Sequence, residues 1–327
     1  MIISWNTTQA CNLHCRHCYR DAGSKYADEL TTAEGKKLLS EMARAGFKII
    51  ILSGGEPLMR PDIYELISHA RSIGTRPVLG TNGVLITPDV AKRLKKAGLA
   101  VAGISLDSCD RDQHNHFRQS AMAWDSTVAG MKACREVGLK FQVHTTVMDW
   151  NASEVTDITD FAVKQGAIAH HVFFLVPTGR GKEIENMTLK AQQYEALLTR
   201  ILTKQSEVPI ELKPTCAPQF MRIAKQKNIP TRFTRGCLAG IAYCVVIPSG
   251  FVQPCPYLPI KVGNVKDTPF DEIWQNSPLL DDLRFKPLKG GCGHCGYDKI
   301  CGGCRARAYY YSQGDYLAEE PWCEYGR

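Results

Sequence analysis

Along its 327 residues the chain alternates short apolar, β-branched runs with longer stretches of helical spacing. The runs "IISWNTT", "FKIIIL", "RPVLGT", "LAVAGISLD", "LKFQVHTTVM" and "IAHHVFFLV" predict six strands. Between them lie "TAEGKKLLSEMARAG", "PDIYELISHARSIG", "PDVAKRLKKAG", "DSTVAGMKACREVG" and "ASEVTDITDFAVKQG", apolar on one helical face and closing in Gly. Pro61 and Pro88 are expected in first helical turns, where a missing N–H costs nothing. Consecutive β–α units need crossovers, hence a parallel sheet. The runs lack strict alternation, as expected of strands covered on both faces. Polar, Gly-rich segments follow the strands, on the side where parallel barrels carry their chemistry. The predicted fold class is therefore α/β, a partial (β/α)6 barrel of TIM type.

After about residue 205 the rhythm stops. Pro and Gly become frequent, and nine of the 14 cysteines follow. Such a loop-rich stretch cannot bury a conventional core, so metal sites are expected to staple it. The predicted organisation is a barrel over 1–205, a bridging segment over 206–232 and a metal-stapled domain over 233–327.

Composition narrows the function. A hydrophobic share of 44% and a charged share of 22% are those of a globular protein. No apolar run approaches the ~20 residues of a membrane span. No basic stretch followed by an apolar one opens the chain, so the cytoplasm is the expected location. In that reducing compartment clustered thiols mean metal or redox chemistry rather than disulfides. Cys109 and Cys134 sit alone, and Cys134 is expected as a small core residue. The net charge of +7 is spread along the chain without an arginine-rich run or a basic–aromatic stripe, so nucleic acid is not an expected partner.

The chemistry starts at "TQACNLHCRHCYRDAG", with Cys11, Cys15 and Cys18 just after the first strand. Two readings fit three thiolates: a zinc knuckle completed by His14 or His17, or three corners of a [4Fe–4S] cube with the fourth iron open. After the second strand comes "LSGGEPLMR". Gly54 and Gly55 would let the backbone approach a ligand and present free N–H groups, Glu56 could accept from an ammonium, and Pro57 fixes the turn.

C-x3-C-x2-C after strand one, joined to GGEP after strand two, resembles the radical S-adenosylmethionine (SAM) superfamily over the first ~200 residues. The resemblance implies an iron–sulfur cube whose open iron is chelated by the amine and carboxylate of SAM, with GGEP on the amine. "GTNG" would place Thr81 and Asn82 at the ribose, and "ISLDS" would place Ser105 and Asp107 nearby. Arg118 of "HNHFR" would pair with the SAM carboxylate. "VPTGRG" closes strand six. His17 takes the usually aromatic position near adenine. It also implies one-electron cleavage of SAM to a 5′-deoxyadenosyl radical, in an oxygen-sensitive protein fed by a low-potential donor such as ferredoxin or flavodoxin.

The later cysteines resemble the SPASM extension of these enzymes. "CGHCGYDKICGGC" is one residue shorter at its last gap than the usual C-x2-C-x5-C-x3-C. The resemblance implies one auxiliary cluster on Cys237, Cys244, Cys255 and Cys304, and a second on Cys292, Cys295, Cys301 and Cys323. Structural zinc is the alternative. Cys216 in "KPTCAPQF" falls outside the pattern; it either serves near the substrate, ligating iron or donating a hydrogen atom, or is an inert buried thiol.

"HTTVMDWN", "FFLVPTGRG", "KPTCAPQFMRIAKQ" and "RGCLAGIAYCVVIPSGFVQPCPYLPIKVGN" extend the resemblance across the chain to the NirJ-like group, which acts on siroheme-derived tetrapyrroles. That implies removal or decarboxylation of propionate or acetate side chains in heme d1 or alternative heme biosynthesis. Length and a short N-terminus look closest to the compact heme d1 members. Arg180 and Arg222 are candidate clamps for substrate carboxylates. Of His170 and His171 only one can face the barrel interior. The competing readings are a peptide-modifying SPASM enzyme, of the sulfatase- or peptide-maturase kind, and a non-catalytic iron–sulfur or zinc protein.

Overall fold

A computed structural model describes residues 1–325. The six predicted strands are all present: β1 (Ile2–Thr8), β2 (Ile49–Gly54), β3 (Arg76–Thr81), β4 (Val101–Ser105), β5 (Phe141–Val147) and β6 (Ala169–Phe174). They pair side by side and parallel in chain order. Two more parallel strands extend the edges, β7 (Glu211–Thr215) beside β6 and β8 (Tyr243–Val246) beside β1. β9 (Phe251–Gln253) and β10 (Gly263–Asn264) complete a ten-stranded sheet in antiparallel fashion. The sheet thus draws strands from all three predicted segments.

The crossovers are α1 (Thr32–Arg44), α2 (Ile63–Ser72), α3 (Pro88–Lys96), α4 (Arg111–Arg118) with α5 (Ala123–Glu136), α6 (Val155–Gln165) and α7 (Ala191–Gln205). Local chemistry sets their starts. Thr31 and Glu34 form a reciprocal capping box on α1, and Thr87 caps α3 with Pro88 in its first turn. Pro61 instead precedes α2, whose first turn follows Asp62. The short α4 was not predicted; Asp110 caps it by accepting from the Gln113 N–H.

Alternation along each strand sorts the two faces. Ile3 and Trp5, Ile50 and Leu52, Ala102 and Ile104, and Phe141 and Val143 point outward and join Leu38, Leu39, Met42 and Leu66 of the helices in one fully buried core. The inward positions mix polar with apolar residues, and in β5 they are polar and half-buried in strict alternation with the core positions. This departs from the expectation of strands apolar on both faces. A partial barrel keeps its concave face open, so that face carries Gln142 and His144 rather than Leu and Val.

The C-terminal segment is bound into this core. α8 (Gln219–Gln226) packs with α7, and α9 (Phe270–Asn276) lies on α1 with Phe270 and Trp274 edge-on to Phe47. The buried Glu41 accepts the Phe270 N–H at 2.9 Å. α10 (Pro278–Phe285), a short turn α11 (Gly290–Gly293) and α12 (Arg305–Tyr311) follow. Among the described residues no helix is long and apolar enough to cross a membrane.

Candidate active site

The cysteine loop leaves β1 and folds back on itself. Gly23 N–H donates to the Gln9 carbonyl at 3.0 Å and Cys11 N–H to the Gly23 carbonyl at 2.9 Å. Arg180, arriving after β6, donates through Nε to the Cys15 carbonyl and through Nη1 to the Ala22 carbonyl, both at 3.0 Å. The candidate substrate clamp is thus a clamp on the loop. Cys11, Cys15 and Cys18 come within electrostatic reach of one another. Burial pushes the Cys11 thiol up to about 11, against the pull of the Leu13 N–H. Burial likewise raises Cys15, opposed by the Arg118 charge. Alone, such burial favours protonated thiols; a bound cationic centre takes them as thiolates. His14 is exposed, and the His17 ring lies flat on Phe117 at 4.1 Å. The loop does not build the zinc knuckle that would borrow either ring.

The GGEP turn is fastened to this loop. A Cβ on Gly54 would stand 2.4 Å from the Thr8 carbonyl oxygen, and one on Gly55 would stand 2.2 Å from that of Ala10. Gly54 also has φ +128°, a conformation open to glycine. The expected free N–H groups are spent here: Gly55 N–H donates to Thr8 and Glu56 N–H to Ala10, both at 2.8 Å. Glu56 is fully buried. It accepts from the Thr81 hydroxyl at 2.8 and 2.9 Å, from the Asn82 N–H at 2.9 Å and from the Leu58 N–H at 3.1 Å. Those donors let Glu56 brace the ends of β2 and β3 at the place where an ammonium was expected. Burial raises it to about 7, with the same donors opposing. Pro57 opens the one-turn helix that follows.

The residues expected at the ribose are committed to the same scaffold. The Thr81 hydroxyl serves Glu56, while Asn82 donates through Nδ2 to Asn12 Oδ1 at 2.8 Å and accepts from the Val84 N–H at 2.9 Å. Ser105 donates to the Thr81 carbonyl at 3.3 Å. Asn12, missed from sequence, links the cysteine loop to the β3 turn.

Asp107 and Arg118 form a buried pair, Nε to Oδ2 at 2.6 Å, and the Thr146 N–H holds the other carboxylate oxygen at 2.9 Å. Burial would raise Asp107, but the Arg118 guanidinium prevails and holds it at about 2. Arg118 also turns Nη1 to within 3.9 Å of Cys15 Sγ. The expected partner of a ligand carboxylate thus spends its Nε on Asp107, because α4 returns its last turn beneath the cysteine loop. His17 keeps Nδ1 buried without a partner. Burial and Arg118 lower that ring to about 3, leaving it neutral.

On the concave face His144 stacks on His171 at 5.4 Å with the rings 7° from parallel. Gln142 Nε2 lies 2.7 Å from His144 Nε2, and His171 Nε2 lies 2.8 Å from Glu211. Burial, helped by Lys213 and Arg232, lowers His171 to about 3. His170 faces the helices, held by the Thr145 and Thr159 hydroxyls at 2.8 and 2.9 Å. His144 was not singled out from sequence, although the alternation in "FQVHTTV" puts it on the inward face, where the β5–β6 register pairs it with His171.

The C-terminal cysteines fall into two groups. Cys292, Cys295, Cys301 and Cys323 line one cavity of about 180 Å³, as expected for the second set. Arg222 lines it too, paired with Glu195, and so does not serve the concave face. In the first set, Cys255 and Cys304 pack in one cluster, and the Cys237 N–H donates to the Cys301 carbonyl at 3.0 Å. Cys244 is not with them. Its neighbour Tyr243 faces inward, hydroxyl to Ser4 Oγ at 2.8 Å, so Cys244 faces outward into the main core. Cys216 packs where Cys244 was expected, with Cys255 against Cys304. Among the described residues no three His, Cys, Asp or Glu converge on a single-ion site.

Comparison with known proteins agrees with this construction. The model of the radical SAM superfamily matches residues 5–162, and that of an iron–sulfur cluster-binding domain, SPASM, matches residues 237–305. The AdoMet-dependent heme synthase of Methanosarcina barkeri is 43% identical over 99% of this chain and 96% of its own. The pre-heme d1 synthase of Dinoroseobacter shibae is 31% identical over 98% of this chain and 85% of its own. The fold matches the crystal structure of Streptococcus suis SuiB bound to its precursor peptide SuiA with a TM-score of 0.80 at 17% identity, covering 99% of this chain and 75% of that one. The chain belongs to the radical SAM superfamily and carries a C-terminal SPASM iron–sulfur domain.

Proposed function

We propose that this enzyme oxidatively decarboxylates propionate side chains of an iron-bearing, siroheme-derived tetrapyrrole, the reaction type of a heme synthase. One observation carries the reading: 43% identity to a heme synthase along nearly the full length of both chains. A heme d1 role, the expectation drawn from length, keeps its support in the pre-heme d1 synthase at 31% identity, and the heme synthase reaction is put first because that relative is 43% identical. The peptide-modifying alternative has its support here in fold likeness at 17% identity, which concerns architecture.

The residues present fit the superfamily's cofactors. Three thiols stand in a loop clamped by Arg180, a Cβ at Gly54 or Gly55 would collide with that loop, and His17 holds a buried nitrogen in reserve at the position expected near adenine. Cys11, Cys15 and Cys18 would hold a [4Fe–4S] cluster. When bound, cluster and SAM together supply a primary alkyl radical that can take a hydrogen atom from a substrate C–H bond. The chain's task is to hold, orient and exclude water. Glu56 fixes the relative position of the β2 and β3 turns. The Asp107–Arg118 pair places a fixed cation beside Cys15 in a water-poor setting, where it acts strongly. On the concave face the neutral His144–His171 stack and Lys213 offer a flat aromatic contact and a cation for a planar, carboxylate-bearing ring.

Each side chain converted from propionate to vinyl loses CO2, one hydrogen atom and one electron. A cluster held by the C-terminal cysteines would supply a one-electron acceptor for it, and a low-potential donor such as ferredoxin or flavodoxin would supply the electron that SAM cleavage requires. The experiment is anaerobic turnover with SAM, reductant and iron-coproporphyrin III. The expected result is 5′-deoxyadenosine together with a macrocycle lighter by CO2 plus two hydrogens per side chain. Uncoupled 5′-deoxyadenosine with an unchanged macrocycle, alongside loss of propionate side chains from didecarboxysiroheme, would move the assignment to the heme d1 branch.

A further inference from the structure

We propose that Cys216 is the fourth thiolate of the first auxiliary cluster, with Cys237, Cys255 and Cys304, and that Cys244 is not a ligand. The inference rests on the iron–sulfur reading of the C-terminal cysteines and is independent of the substrate assignment.

Strand parity removes Cys244. From β8 it pairs with Ile3 of β1, lies on the face opposite Tyr243, and sits at 0% exposure in the core that includes Leu280 and Leu283. Arg284 is the one charge that bears on its thiol. A cube cannot enter that packing without displacing the helices outside the sheet.

Cys216 follows β7 directly, at the sheet edge remote from β8, β9 and β10. Curvature brings those edges towards each other. Cys216 and Cys255 pack against the same cluster as Cys304, with Val176, Leu258 and Ala306. Next to Cys237, a Cβ on Gly236 would meet the Pro218 carbonyl oxygen and Cβ, both at 2.6 Å, so the chain carrying Cys237 crosses directly over the turn carrying Cys216. Cys237, Cys255 and Cys304 each interact electrostatically with Cys216. Cys216 also holds φ +60°, a left-handed conformation that a non-glycine residue adopts at a cost. Packing alone gives no reason to keep a cysteine there; a ligand that must be aimed across the gap does.

The consequence is a cube with every iron taken by a thiolate. Such a cluster has no iron open to the substrate and serves by electron transfer. It also closes the partial barrel, since its ligands come from the β7 turn on one side and from the segment after β8 on the other.

The test uses the full chain in which Cys11, Cys15 and Cys18 are replaced by Ala, so that only auxiliary iron remains. Reconstituted anaerobically, this parent is expected to hold about eight irons in two cubes, and its reduced EPR signals are expected to ignore added cyanide. Absence of iron in the parent would defeat the iron–sulfur reading itself, separately from the ligand assignment. Adding Cys244→Ala is expected to leave iron, sulfide and EPR unchanged. Adding Cys216→Ala is expected either to remove about four irons or to leave a cube whose signal shifts on cyanide binding at the vacated iron. Cys216→Ser, with an oxygen ligand in place, is expected to retain iron with altered g-values, and its circular dichroism reports folding. The assignment is overturned if both Cys216 variants keep the parent's iron and a cyanide-insensitive signal, if the parent already responds to cyanide, or if iron is lost in Cys244→Ala.

Discussion

Glu56 shows how much of one side chain's role lies outside its own motif. In the sequence it is a carboxylate in a turn, ready for an ammonium. In the fold its oxygens already accept from Thr81, Asn82 and Leu58. Glu56→Gln would turn an amide NH2 toward an N–H donor. The expected cost is ~1–3 kcal/mol, seen as a lower midpoint in denaturant together with weaker SAM binding at unchanged iron content. Unaltered SAM affinity would show that the brace does not position the nucleotide. The Asp107–Arg118 pair makes a second residue-scale prediction. Asp107 ionises near 2 when folded, below its unfolded value, so the pair's contribution is complete above about pH 4 and is lost as pH falls through about 2. Arg118→Met strands a buried carboxylate and is expected to cost ~3–5 kcal/mol at pH 7. The gap should narrow at pH 4, where the stranded carboxyl takes up a proton; thermal unfolding at both pH values measures it.

At the scale of elements, strand parity does most of the sorting. It sends Trp5 outward, where its ring lies so close to α1 that a Cβ on Gly35 would stand 2.4 Å from Cη2. Gly35→Ala therefore overpacks this contact and is expected to lose ~1–3 kcal/mol without changing SAM affinity. The GGEP turn behaves differently, because its neighbour is backbone. With the Ala10 carbonyl oxygen 2.2 Å from the added Cβ, Gly55→Ala must push the cysteine loop. The expected result is loss of the N-terminal cluster's iron with the auxiliary iron retained, as read by iron analysis and EPR. Parity was legible where polar and apolar residues alternate, as in "FQVHTTV", and it would have set His144 on the inward face and Cys244 away from the other thiols. Spacing in a motif was given more weight than the two-residue period of the strand, and Cys244 is where they conflict.

For the whole molecule, the question is what holds the C-terminal segment to the barrel. Arg307 and Glu320 form a fully buried pair, Nε to Oε1 at 2.8 Å, while Arg307 Nη2 reaches the Tyr194 hydroxyl of α7 at 3.1 Å. Glu320 also accepts the Cys304 N–H at 2.7 Å, so the same carboxylate orients a thiol. Arg307→Met would leave Glu320 buried without its partner, at a cost of ~3–5 kcal/mol. Auxiliary iron should then fall while the N-terminal cluster persists, and limited proteolysis should cut first after α10. Simultaneous loss of all iron would mean that barrel and extension fold as one unit.

The sequence by itself determined the alternating elements, the parallel sheet and the cysteine loop with its GGEP partner. Each of these is written in local spacing: an apolar period, a cap, or cysteines a few residues apart. Tertiary structure alone decided which groups remained available to a ligand. Thr81, Asn82, Arg118 and Arg180 each hydrogen-bond to partners distant in sequence, which fixes how much of each is left for a ligand. It also decided the first auxiliary set, where Cys216 and Cys304 are 88 positions apart and meet because the sheet curves until its edges face each other. Spacing cannot encode that meeting, since it is fixed by the twist and packing of every strand in between.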